Sequence, residues 1–273
     1  MNLDNAIRWI FPGVALTAIL VEVISGPLLL GVLRQRVSVD ATVQYLGSEP
    51  ITLLAGIVLV ASAFHERSSL ATLLGAGAGL YIVYTMVTVV FGQDYHRYDG
   101  NAERWFFLFV VITLTTIPVV ARKFSLLLRA PVPELGWLHR GTLLIIGLLF
   151  AILWISAIAK ERQAHPPEYL ADPTLFWLIK FLDLAVVVPT AMICATQWTG
   201  SYRTGGLLVL TFTVWILWGI AGMQISTAAA SQWPVGALIL ALAMILGGLW
   251  SMSCLWMASI PGSLGSCSGC RPE

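Results

Sequence analysis

Long apolar stretches separated by short polar ones recur along all 273 residues of the chain. A helix rises 1.5 Å per residue, so about 20 apolar residues cross a hydrocarbon layer of about 30 Å. Eight stretches meet or approach that length: 10–33, 49–64, 70–91, 105–121, 141–159, 174–196, 205–226 and 234–256. The pattern predicts an all-α, polytopic transmembrane helix bundle of about eight spans. Residues 1–260 would form a single transmembrane domain, and 261–273 a Gly/Ser/Cys tail. The second stretch is the weak point. Ser48, Glu49 and Pro50 read as a helix start, with Ser as N-cap, an acid in the first turn and Pro where no donor is needed. A helix starting there would cover only roughly 24 Å, unless the segment from Val43 also enters the membrane.

Composition agrees with lipid as the solvent. Charged residues make up 11% and hydrophobic ones 58%, where a soluble domain carries about 25% charged residues. So few charges cannot wet the surface of a globule this size. The net charge of +1, without basic stripes, gives no reason to expect a nucleic-acid partner. The first apolar run is too long for the core of a secretory signal, which spans roughly 7–15 residues, so it reads as a first span. Orientation follows from Lys and Arg in the loops. The run Arg122, Lys123, Arg129 and Arg140 directly follows a span, which places it and both termini in the cytoplasm (N-in/C-in). Asp40, Glu49, Asp94, Asp99, Glu103, Glu161, Glu168 and Asp172 then gather on the opposite face. Trp9, Trp105, Trp177 and Trp233 fall near span ends, where an amphipathic ring suits the headgroup level.

Candidate chemistry lies first in the ionisable residues within spans. Glu22 sits midway along the first stretch, and Lys180 and Asp183 sit three residues apart on one helix face of the sixth. On this reading Glu22 is roughly 18 Å from the inner end of its span, and Asp183 and Lys180 roughly 13 and 9 Å from the outer end of theirs. A charge at such depth costs at least ~2.5–3.5 kcal/mol on insertion scales, so each should face the bundle and find a partner. One reading is a proton- or ion-linked polar site. The other is an internal Glu–Lys–Asp network that fixes helix packing, with Lys180 alternatively reaching outward to water.

A second constellation is the polar rim between the third and fourth stretches, where Asp94, His96 and Glu103 lie close in sequence to Asp99 and two arginines. Together with Glu49, and with His165, Glu168 and Asp172, these groups could hold a metal, act as an acid–base pair or recognise a headgroup. The plainer alternative is a solvated loop in which Asp99-Gly100-Asn101 turns and Glu103 begins the next helix. The four histidines and four cysteines supply no expected metal or cofactor site: HExxH, a Walker loop and GxSxG are all absent. Cys267 and Cys270 form CSGC in the tail, half a metal site at most. Gly75-Ala-Gly-Ala-Gly79 predicts a close helix–helix approach, with Tyr81 and Tyr84 on neighbouring faces. Pro12, Pro27, Pro118 and Pro189 are expected to kink their helices.

At GSEP (residues 47–50), LYIVYTMVTVVFGQDY (80–95) and LIKFLDLAVVVP (178–189), the chain resembles an uncharacterised family of bacterial multi-pass integral membrane proteins. The resemblance implies a bacterial inner-membrane location and no particular activity. These features lead to an expected non-enzymatic bundle, transporter-like or ligand-binding, for a small solute or proton. Its polar site would open outward, built from Glu22, Lys180, Asp183, Glu49, Asp94, His96 and Glu103. The competing expectations are a membrane enzyme acting on lipid headgroups and an assembly subunit with a protein partner. Membrane lipids surround the chain on every reading.

Overall fold

The computed structural model describes residues 2–26, 29–30, 39–92, 102–127, 137–166, 169–170 and 172–196. The last two predicted stretches, the tail with Cys267 and Cys270, and Asp94 and His96 of the rim lie outside the described residues. Within them the chain is helical, with no strand. Three helices are long and apolar enough to cross a membrane: Leu3–Ser25, Ala71–Phe91 and Trp105–Leu127.

Helix α1, Leu3–Ser25, is capped by Asn2, whose side chain accepts from the Asp4 amide, and passes through a π turn at Ala6–Ile10. It stops at Ser25, where Gly26 turns into extended backbone. The first helix is therefore shifted toward the N-terminus of the apolar stretch 10–33. Glu22 stands three residues, roughly 4.5 Å, from its C-terminal end. Helix α2, Val39–Phe64, runs straight through Glu49 and Pro50. The N-cap reading of Ser48 is overturned, since ten helical residues precede Glu49. The helix extends for about 39 Å, and its apolar part is Ser48–Phe64.

Helix α3, Ser69–Phe91, begins on Ser68, whose side chain accepts from Ala71 N–H at 3.3 Å. Helix α4, Ala102–Leu127, contains Pro118, and helix α5 spans Trp137–Glu161. Helix α6 starts on Asp172, whose carboxylate caps the Leu175 amide at 3.0 Å. It runs Pro173–Leu182, passes through a π turn at Asp183–Val187, and continues as Val188–Thr196.

Both π turns have the same cause. Pro12 lies two residues past Ile10, and Pro189 two residues past Val187. Proline has no N–H, and its ring presses on the carbonyl four residues back. Widening the preceding turn moves that carbonyl away, so the next donors reach five residues back: Phe11 N–H to Ala6, and Val188 N–H to Asp183.

Consecutive helices run in alternate directions. Helices α1–α4 share one core of Ala15, Ile19, Val23, Leu59, Tyr81, Ile82, Met86, Phe109 and Ile112. Helix α5 pairs with the second half of α6 through Phe150 and Val188, and α3 touches the first half of α6. Gly79 lets α4 approach, since a Cβ there would overlap Val120. The surface is inverted relative to a water-soluble protein. Phe107 is 80% exposed and Ile152 61%, while Glu22, Glu49 and Asp183 are each 1% exposed. Apolar rings outside and acids inside suit a lipid surround.

Candidate functional site

Four of the buried ionisable residues fall into two groups. In the first, Glu49 of α2 lies over the end of α1. A Cβ on Gly26 would overlap the Glu49 carboxylate, with its Cδ only 2.8 Å away, so this position needs glycine for space, its φ of −76° being ordinary. Glu22 stands one helical turn earlier on α1. From α3, the Tyr81 hydroxyl donates to the Ser48 carbonyl at 3.5 Å, and it lies among the Thr52 and Thr85 side chains, near Glu22. The Ser48 carbonyl also accepts from the Thr52 hydroxyl at 2.8 Å. Buried carboxylates near hydroxyls and a carbonyl are groups able to share a proton.

The second group centres on Asp183, the first residue of the π turn in α6. Its Oδ1 accepts from the Tyr84 hydroxyl at 2.8 Å, and its Oδ2 from the Trp154 indole N–H at 2.7 Å. Lys180, one turn before it, is buried and does not reach outward to water. Its ammonium rests on the Phe176 ring at 3.6 Å and on the Trp154 ring at 4.5 Å. Trp154 thus meets the acid with its edge and the cation with its face, as the ring quadrupole favours.

Tyr81 and Tyr84, three residues apart on neighbouring faces of α3, reach the Ser48 carbonyl near Glu22 and the Asp183 carboxylate respectively. Glu49 lies beside Gly26, one turn past Glu22 on α1. Glu103 falls in the first turn of α4, in keeping with the plainer reading of the rim. His165 pairs with Glu161 on its own segment at 3.2 Å and stacks on Tyr169. Among the described residues no three His, Cys, Asp or Glu side chains gather as a metal site would require.

A third polar cluster, at the opposite end of α1, was not singled out by the sequence. Glu66, in the turn after α2, accepts from Arg122 of α4 through both oxygens, at 3.2 and 3.0 Å. Arg8 of α1 meets the same carboxylate at 3.1 Å, and Asp4 pairs with Arg122. Beside them Lys123 is 1% exposed, and its ammonium makes no hydrogen bond among the described residues. Gly75 opens the room for it, since a Cβ there would stand 2.7 Å from Lys123 Cε and overlap the Ser62 hydroxyl. Charges 56 and 118 residues apart give no local signal, which is why a reading by loops missed their pairing. No protein-family model matches the chain, and no curated protein or solved structure matches it.

Proposed function

We propose that this chain is a non-enzymatic, transporter-like membrane bundle that carries protons or a small cation. The observation behind this reading is the pair of buried acidic groups at one level of α3. Glu22 and Glu49 form one group and Asp183 with Lys180 the other, with Tyr81 near the first and Tyr84 bonded to the second. Acids at this burial cost several kcal/mol unless they serve or are fully paired, and hydroxyls within reach of both groups supply the donors that a proton relay uses. In the proposed arrangement of eight spans, with termini in the cytoplasm of a bacterium, this layer lies toward the extracytoplasmic side of the inner membrane.

The test is flux in proteoliposomes loaded with a pH-sensitive dye under an imposed potential. Wild type should acidify or alkalinise the lumen, and Glu22→Gln and Asp183→Asn should each abolish the signal while the purified protein keeps its helical content. No difference between wild type and protein-free vesicles across protons and the alkali cations sinks the reading.

A structural reading is favoured by one fact: both oxygens of Asp183 already accept a hydrogen bond. On that reading Glu22→Gln, Lys180→Met and Asp183→Asn each destabilise the bundle, the triple variant recovers stability, and flux is absent throughout.

A further inference from the structure

The Leu3 end of α1 carries an unusual concentration of positive charge. Arg8, Arg67, Arg122 and Lys123 stand together with only two carboxylates, Asp4 and Glu66, a surplus of two positive charges. Glu66 is already shared by Arg8 and Arg122, so it cannot also neutralise Lys123. The ammonium of Lys123, buried and without a hydrogen bond among the described residues, leaves that surplus uncompensated in a dry setting.

A shallow cup of about 400 Å³ opens at this cluster, between α1 and the turn joining α2 to α3. It is lined by Arg8, Phe64, His65, Glu66, Arg67 and Ser68. Its floor includes Ser68, which caps α3, so the positive end of that 23-residue helix adds to the field. One flank is apolar and faces outward. Trp9 and Phe64 stack edge to face at 5.1 Å, and Phe64 is 64% exposed. The Arg8 guanidinium lies 4.5 Å over the Trp9 ring, joining the cationic wall to the apolar one.

We propose that this cup holds the phosphate of an anionic phospholipid, whose acyl chains run along Trp9 and Phe64. A free anion would need only the charges. The contiguous aromatic flank at the level of the basic residues is what a lipid adds, an apolar tail fixed to a negative headgroup. Basic pockets between helices at the cytoplasmic side are the usual receptors for such headgroups, and the placement agrees with the cytoplasmic reading of Arg122 and Lys123. The proposal stands apart from transport, and either can fail without the other.

The experiment uses the full chain in nanodiscs of phosphatidylcholine containing a minority of phosphatidylglycerol, with retained lipid counted by native mass spectrometry. Phosphatidylglycerol should be retained about tenfold above its share of the bilayer. Arg67→Gln should reduce that enrichment about fivefold, the weight of one cation near the surface. Arg67 makes no ion pair among the described residues, so this variant leaves the bundle folded. Arg8→Lys, which keeps the charge that faces Glu66, should retain most of the enrichment, and Arg162→Gln at the far end of α5 should retain all of it. Equal retention of the two lipids overturns the proposal, as does an equal loss in Arg67→Gln and Arg162→Gln. Displacement of the lipid by millimolar inorganic phosphate also overturns it, since that marks a site for a free anion.

Discussion

Trp154 holds Asp183 through its indole N–H at 2.7 Å while its ring face carries the ammonium of Lys180 at 4.5 Å. One side chain on α5 thus satisfies an acid and a base that are neighbours on α6. Trp154→Phe keeps the ring and removes the donor. An acid left short of one bond in a dry site costs about 1–3 kcal/mol, and unfolding titrations in mixed micelles should register that loss. Adding Asp183→Asn to Trp154→Phe should cost less than the two single changes summed. A strictly additive double variant contradicts the bond.

The two tyrosines of α3 bond to different partners. Tyr84→Phe removes the donor to Asp183 Oδ1, so its effect should couple to Asp183→Asn by about 0.5–3 kcal/mol in a double-mutant cycle. Tyr81→Phe acts on the Ser48 carbonyl and the Glu22 side instead. Its effect should add to that of Asp183→Asn within about 0.5 kcal/mol. Equal coupling for both tyrosines would place the acids in one continuous group.

Lys123 offers a test of opposite sign. An ammonium buried without a hydrogen bond is expensive to hold, and an apolar chain of similar length fills the same room. Lys123→Met should leave stability unchanged or raise it by about 1 kcal/mol, read as a shift in thermal unfolding in detergent. Gly75→Ala should do the reverse. Its new methyl meets Ser62 and Lys123, and overpacking of this kind costs about 1–3 kcal/mol. In a Ser62→Ala background, part of that cost should disappear.

At the Leu3 end, burial ranks the carboxylates. Glu66, its side chain 9% exposed, binds two guanidinium groups, whereas Asp4 is 60% exposed and binds one. Glu66→Gln should lower stability by about 2 kcal/mol. Asp4→Asn should cost about 0.5 kcal/mol and lose even that in high salt. Comparable losses for the two, measured in the same salt series, would count against this ranking.

The membrane class and the helical architecture were legible because apolar runs of span length leave few alternatives. The buried acids were legible for the same reason, since Glu22 and Asp183 interrupt stretches that tolerate no idle charge. Helix ends were harder. Ser48-Glu49-Pro50 carries the residues of a helix start, yet α2 continues through it, because a buried helix can accommodate one proline when tertiary contacts offset the lost bond. The apolar stretch 10–33 marked where lipid could lie, not where the helix ends, at Ser25. Trp154 was invisible as a site residue because an aromatic in a span is ordinary until its N–H has a partner. The pairing of Arg8, Glu66 and Arg122 was hidden by distance along the chain, since loop counting assigns charges to sides and not to one another.

The π turn at Asp183–Val187 has a consequence for how α6 could have changed over time. A five-residue turn holds one residue more than an α turn's worth of bonding, so removing a single residue there would restore a regular helix. That deletion would leave Pro173–Leu182 in nearly the same phase relative to Val188–Thr196, because the wide turn already absorbs the extra residue's rotation. Lys180 would keep Trp154, and Ala191 and Met192 their seat against Gly147. The wide turn thus adds a residue to α6 without moving either half off the same neighbouring helix.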